Sequence, residues 1–146
     1  MDETLVELRV EGEPEPWSRA GYRQYKGKLI IYDPQITEKR LVKCQLSAQF
    51  DREPLQCPVR VELVFAMQIP KSYSAKEREA ALTGKTKFAK KPDVDNLQKY
   101  IFDCCNGQIF SDDALVYEVH AQKVYSSTPH TQIKLFFCEC ADHESV

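Results

Sequence analysis

Residues 91–113 read KPDVDNLQKYIFDCCNGQIFSDD, a run that sets one helix and both of its boundaries. Pro92 disfavours the helical region for Lys91, so the helix starts just after it. Val94, Leu97, Ile101 and Cys104 then recur at helical spacing as an apolar stripe. Asn106-Gly107 ends it, with Gly107 suited to the left-handed position beyond a helix terminus. Four aspartates bracket this helix: Asp93 and Asp95 at its start, Asp112 and Asp113 just past its end. Crowded carboxylates repel one another, so they gather chiefly where a cation neutralises them. Lys99 lies one turn beyond Asp95, within i, i+4 reach. Clustered acids beside a basic surface point to metal-assisted chemistry on a phosphate ester.

Working outward, Val59–Ile69 is the clearest strand. Val59, Val61, Leu63, Phe65, Met67 and Ile69 share one face, with Arg60, Glu62 and Gln68 on the other. Leu115–Tyr125 and Thr131–Glu139 also alternate, and the Ser-Thr-Pro between them predicts an antiparallel hairpin. Upstream, Val6, Leu8 and Val10 alternate with Glu7 and Arg9 as a first strand, which Pro14 and Pro16 terminate. Lys28–Asp33 reads as a second, short strand. Ile36, Leu41, Cys44 and Ala48 lie near helical spacing and predict a helix from Pro34 to about Phe50. Ser74–Leu82 is expected to form a short helix within a basic connection, Pro70–Lys91. The order β-β-α-β-α-β-β predicts an α+β domain, one mixed and mainly antiparallel sheet with two main helices packed on it. Residues 1–140 are read as that single domain and 141–146 as a frayed tail.

A chain of 146 residues has room for one real core but not two. Its 42% apolar and 29% charged composition is that of an ordinary globular protein. No apolar run reaches the roughly 18 residues of a membrane span. The N-terminus is acidic and opens directly into a strand pattern, which argues against a signal peptide and for a cytoplasmic protein. Six cysteines (44, 57, 104, 105, 138 and 140) form no C-x-x-C pair. A zinc site with His120 and His130 is therefore the weaker reading, and reduced, mostly buried thiols the stronger. The net charge of −2 is unevenly spread. Residues 71–91 hold seven Lys/Arg against two Glu, and residues 17–32 hold four against none. Two positive segments on an acidic body can steer a polyanion to one face.

Helical residues spaced i, i+2 point roughly 200° apart. Asp93 and Asp95 share a cation only if Asp93 belongs to the extended segment leading into the helix, as Pro92 favours. The helix is about 20 Å long, and six or seven extended residues after it span that distance, so a return of Asp113 toward Asp93 and Asp95 is feasible. Plainer roles stand beside this one. Asp93 suits an N-cap, Asp95 the positive end of the helix dipole, and Asp112-Asp113 a turn. An EF-hand counted from Asp93 would put Gln98 at its glycine position and Cys104 at its glutamate position. KFAKKP is not the apolar strand that precedes a phosphatase D-x-D. No Walker loop, HExxH or GxSxG occurs.

The same segment resembles the signature of the RusA-like Holliday-junction resolvases, which have a DxDNLxK helix start, a further Asp in that helix and a DD pair before a strand. Here these are Asp93, Asp95, Asn96, Leu97, Lys99, Asp103 and Asp112-Asp113. The likeness is dense over about 25 residues, and looser at the PEPWSR segment and at the closing strand with Lys123. It implies a homodimer that binds branched DNA such as a four-way junction and makes paired incisions near the branch point, dependent on Mg²⁺ or Mn²⁺. It makes Asp93, Asp95 and Asp113 metal ligands with Asp112 adjacent, and gives Lys99 the charge that develops on the scissile phosphate. Asp103 fits the pattern or a structural ion pair equally. Lys85, Lys87, Lys90 and Lys91 are expected to track phosphates. Phe88 is read as a wedge at the branch point or as a buried anchor for its loop. Arg19, Arg23 and Lys26 are candidates for a second DNA contact. The competing readings are a non-catalytic, structure-specific DNA-binding protein and a PD-(D/E)xK nuclease, whose E-x-K strand is missing.

Overall fold

The computed structural model describes residues 2–139. Cys140 and the expected frayed tail, 141–146, lie outside the described residues. The elements run β1 (Thr4–Glu11), β2 (Gly21–Tyr25), β3 (Lys28–Tyr32), α1 (Ile36–Gln49), β4 (Val59–Gln68), α2 (Ala75–Leu82), α3 (Val94–Cys105), β5 (Val116–Ser126) and β6 (His130–Phe137). A single 3-10 turn, Asp113–Leu115, leads into β5.

Four strands form the main sheet in the order β1-β6-β4-β5. β6 is antiparallel to both β1 and β4, whereas β4 and β5 are parallel. The fold is therefore the expected α+β domain with a mixed, mainly antiparallel sheet. The expected β5–β6 hairpin does not form, because β4 lies between those strands. Two inter-strand spacings are about 10 Å, and the short connection after Ser126 spans that readily. β4 has the most continuous apolar face of any strand, and the centre of the sheet buries it on both flanks. Val59, Val61, Leu63, Phe65 and Met67 lie beneath the helices with Leu8, Ile133, Leu135 and Phe137. The opposite face stays polar. There Arg60 pairs with Glu62 at 2.8 Å and lies 3.8 Å from the centre of the Phe136 ring.

α1 forms where expected but turns a different face inward. Leu46 is fully buried, Val42 packs on the core, and Lys39 is buried as well. Ile36, Leu41, Cys44 and Ala48 face solvent. The spacing of those four was helical, but burial was decided by bonds that α1 makes through polar residues. Lys39 reaches Asp33 at 2.9 Å and Asp103 on α3 at 3.4 Å. Gln49 accepts from the Arg9 N–H and donates to the Arg9 carbonyl, and Gln45 accepts from the Glu11 N–H. These amides occupy the outer edge of β1.

β2 is a strand missing from the sequence reading. It pairs antiparallel with β3 through a two-residue turn, in which Lys26 and Gly27 both have positive φ, 51° and 77°. That conformation matches the twist of tight hairpins, and a glycine between two short alternating runs was its signal. α2 is the short helix expected, started by a capping box between Ser74 and Glu77.

Candidate active site

α3 is built as its sequence suggested. Leu97, Tyr100, Ile101, Cys104 and Cys105 are buried, and Gly107 takes positive φ just past the Asn106 cap. Burial keeps the thiols in this stripe protonated, with Cys104 pushed up to about 11, so neither cysteine offers a thiolate nucleophile. Beyond the helix, Leu55 bonds the Ile109 carbonyl at 2.8 Å, and Ser111 bonds the Leu55 carbonyl at 3.0 Å. These bonds tie the turn to the segment that precedes β4 and aim the chain into Asp112-Asp113.

At the helix start Asp93 has an extended backbone (φ −71°, ψ 146°), and its side chain makes no capping bond. The N-cap role is thus taken by position only. The carboxylate faces outward, 3.1 Å from the Lys91 ammonium. That pair is exposed on both sides, so it is labile and open to exchange. Asp95 follows in the first turn, also exposed. This meets the geometric condition for the two aspartates to act on one cation.

Lys99 does not pair with Asp95. Its ammonium sits 3.7 Å from the centre of the Trp17 ring, and the Trp17 N–H bonds the Asn96 carbonyl at 2.9 Å. Trp17 therefore cradles the lysine beside the acids, a role the sequence offered only as part of PEPWSR. Lys123, named in the sequence only for the looser likeness of its strand, is the second contributor. From β5 it donates 2.8 Å bonds to the Lys90 and Pro92 carbonyls, fixing the segment that carries Asp93. Its ammonium also lies 5.1 Å from the Phe88 ring centre.

Phe88 is only 8% exposed and packs on Tyr125 with ring centres 5.0 Å apart. It sits as the buried anchor of the basic loop, its ring against an apolar partner. Around that anchor Lys85, Lys87, Lys90 and Lys91 are all exposed, as are Arg19, Arg23 and Lys26. Asp103 is the structural ion-pair member: it and Asp33 hold the Lys39 ammonium between them. The Lys39 hydrogen bond, helped by the Gln35 N–H, keeps the Asp33 carboxyl below its ordinary range. Burial works against charge on Lys39, yet its two aspartates together raise its pKa.

Asp112 and Asp113 are exposed at the far end of α3. The twelve residues of α3 rise about 18 Å. β5 then carries the chain from Val116 to Lys123, about 23 Å, before it reaches the level of Asp93. Asp113 thus stays at the opposite end from Asp93 and Asp95, and the feasible return is not made within one chain. Among the described residues no three His, Cys, Asp or Glu side chains are gathered as a metal cluster. Asp93 with Asp95 nonetheless suits Mg²⁺, a hard ion commonly held by one or two carboxylates plus water and substrate phosphate.

The comparison with protein families decides the lineage. The model of endodeoxyribonuclease RusA matches residues 11–136. The chain belongs to the RusA endodeoxyribonuclease family. The match spans the hairpin, all three helices and the β4, β5 and β6 strands of the main sheet, and begins at the last residue of β1. Two relatives run nearly end to end with this RusA-family chain. An uncharacterised protein, YqaN of Bacillus subtilis, is 29% identical over 134 residues, covering 89% of this chain and 94% of its own. The crossover junction endodeoxyribonuclease RusA of Lactococcus phage r1t is 26% identical over 135 residues, covering 88% and 94%.

Proposed function

We propose that this RusA-family endodeoxyribonuclease is a cytoplasmic, homodimeric resolvase that cuts four-way DNA junctions by paired, Mg²⁺-dependent incisions. The observation that carries the reading is the start of α3, where Asp93 and Asp95 are both exposed and the Lys99 ammonium is held beside them on Trp17.

Asp93 and Asp95 would hold the ion, Mg²⁺ or Mn²⁺, and Asp113, with Asp112 beside it, would complete its ligands. When bound, the ion supplies Lewis acidity at the scissile phosphate and a more acidic water. Lys91 is displaced from Asp93 and, with Lys85, Lys87 and Lys90, follows the phosphate backbone. Lys99 meets the charge that develops on the phosphate in the transition state. Trp17 keeps that ammonium in place without neutralising it, since a ring face attracts a cation and accepts no proton. Lys123 positions Asp93 through the backbone.

A second copy supplies what one chain leaves apart. β5 is an edge strand of the sheet. Antiparallel pairing of β5 with the β5 of another copy would bring Asp113 of each chain to the Asp93–Asp95 end of the other. Two such sites related by a two-fold axis match the two-fold symmetry of a four-way junction.

The deciding experiment is cleavage of an end-labelled four-way junction in Mg²⁺ by wild type and Asp95→Asn. Paired nicks abolished in the variant, with junction binding intact, are expected. Binding without cleavage by the wild type in either Mg²⁺ or Mn²⁺ would leave a structure-specific binding protein instead.

A further inference from the structure

The β2–β3 hairpin stands away from the main sheet, and its extensive packing is strand on strand. An isolated two-stranded hairpin is marginal in water, so a bare one usually serves a partner. Its register places Tyr22 opposite Ile31 and Gln24 opposite Leu29 on one face. Tyr22, Leu29 and Ile31 are 64%, 62% and 64% exposed, an apolar patch that nothing among the described residues covers. The other face is already furnished. The Tyr32 ring lies over Gly21 with Arg23 at 5.7 Å, and Lys26 is 5.4 Å from the Tyr25 ring centre.

Charge says what the patch meets. Residues 17–32 contain Arg19, Arg23, Lys26 and Lys28 and no acid. Three large apolar side chains rimmed by cations match nucleobases flanked by phosphates. The base of the hairpin points the same way. Trp17, just upstream of β2, is bonded to α3 at Asn96 and lies under Lys99, so the arm projects from the helix that bears the acids. Asp33, just after β3, is clamped by Lys39, which also holds Asp103 of α3.

We propose that this hairpin is a DNA-opening arm. Tyr22, Leu29 and Ile31 pack against unstacked bases at the branch point, while Arg19, Arg23, Lys26 and Lys28 hold the flanking phosphates. The arm takes the wedge role, and Phe88 stays the buried anchor of its loop. Apolar insertion of this kind unstacks a base step, and each aromatic–base stack changes affinity by roughly tenfold or more. The proposal rests on the branched-DNA reading above.

The test uses a four-way junction carrying 2-aminopurine at the branch point, with Ca²⁺ replacing Mg²⁺ to suppress cutting, and a linear duplex as control. Wild type is expected to raise the fluorescence on binding. Tyr22→Ser/Leu29→Ser/Ile31→Ser is expected to lose most of that rise and about tenfold in junction affinity, with duplex affinity little changed. Tyr22→Ala alone should lose part of the rise and Tyr22→Trp should keep it, which separates stacking from a folding defect in the triple variant. An undiminished rise in a folded triple variant that still binds and cuts junctions would overturn the arm and spare the resolvase reading. A triple variant that is monomeric where wild type is dimeric would also overturn it, assigning the face to a second copy. Wild type that binds no junction at all would remove both.

Discussion

The two edges of the main sheet are finished differently. At β1, Gln45 and Gln49 of α1 bond the Arg9 and Glu11 backbone at 2.6–2.8 Å, so the outer peptide groups of its second half are already engaged. At β5 there is no such cover among the described residues: the strand pairs there with β4 alone, and Tyr117, Glu118, His120 and Gln122 are exposed along it. Edge strands invite pairing with other chains, and proteins commonly protect the ones they do not use. For the proposed dimer, the contrast between the two edges favours β5 as the place where a second copy would add. The bare edge is also the one flanked by the two separated halves of the acidic site.

The sharpest way to break this comparison is to divide the acids between two chains. Asp95→Asn and Asp113→Asn should each lower junction cleavage by about a thousandfold or more, in keeping with the loss of a group that stabilises transition-state charge. If the site forms across β5, subunit exchange between the two variants restores one intact site per heterodimer. Nicking should then recover to about a quarter of wild type, because half of the dimers are mixed and each has one working site. If the mixture stays inactive although heterodimers form, the acids belong to one chain and the β5 edge has another use.

The sealed edge gives a smaller effect. Gln45→Ala/Gln49→Ala removes three side-chain bonds to β1, each worth about 0.5–1.5 kcal/mol net and less where solvent competes. A loss of about 2 kcal/mol and a fall of several degrees in Tm are expected, with a new tendency to associate through β1. Unchanged melting and unchanged sedimentation would mean that the glutamines are ornamental and the two edges equivalent.

The smallest effect concerns the polar clamp on the same helix. Asp33 titrates below its ordinary 3.8, so its contribution is complete above that value and is lost as pH falls through the depressed one. Lys39 titrates above its ordinary 10.5, so its contribution is complete below that value and fades only as pH rises through the raised one. The stability gap between wild type and Lys39→Met should therefore be flat from about pH 5 to 9, at about 1 kcal/mol, since both acids are partly exposed. It should shrink in denaturant titrations below about pH 4. A gap that instead grows on acidification would mean that Lys39 is held by something other than these aspartates.

Most of the elements were legible in local sequence because their causes are local. Pro92, Asn106-Gly107 and the Val94–Cys104 spacing define α3; strict alternation defines β4, β5 and β6; Ser74 with Glu77 starts α2. β2 escaped notice because a short strand with polar and aromatic residues on both faces shows little alternation, and only its turn residues marked it. The inward face of α1 escaped for another reason. Lys39, Gln45 and Gln49 are polar by type, and what settles their direction is Asp33, Asp103 and the β1 backbone, distant in sequence. The same limit applied to Phe88, whose burial depends on Tyr125 of a strand reached only through the fold.

By itself the sequence determined every element type but β2, the acidic residues and the family, since periodicity, capping chemistry and a dense motif are properties of neighbouring residues. Tertiary structure alone decided that β4 separates β5 from β6, that Trp17 holds Lys99, and that α3 keeps Asp113 away from Asp93 and Asp95. Those outcomes depend on which surfaces meet in space. A rigid helix rising about 18 Å keeps its two ends apart however closely the motif sets them in sequence.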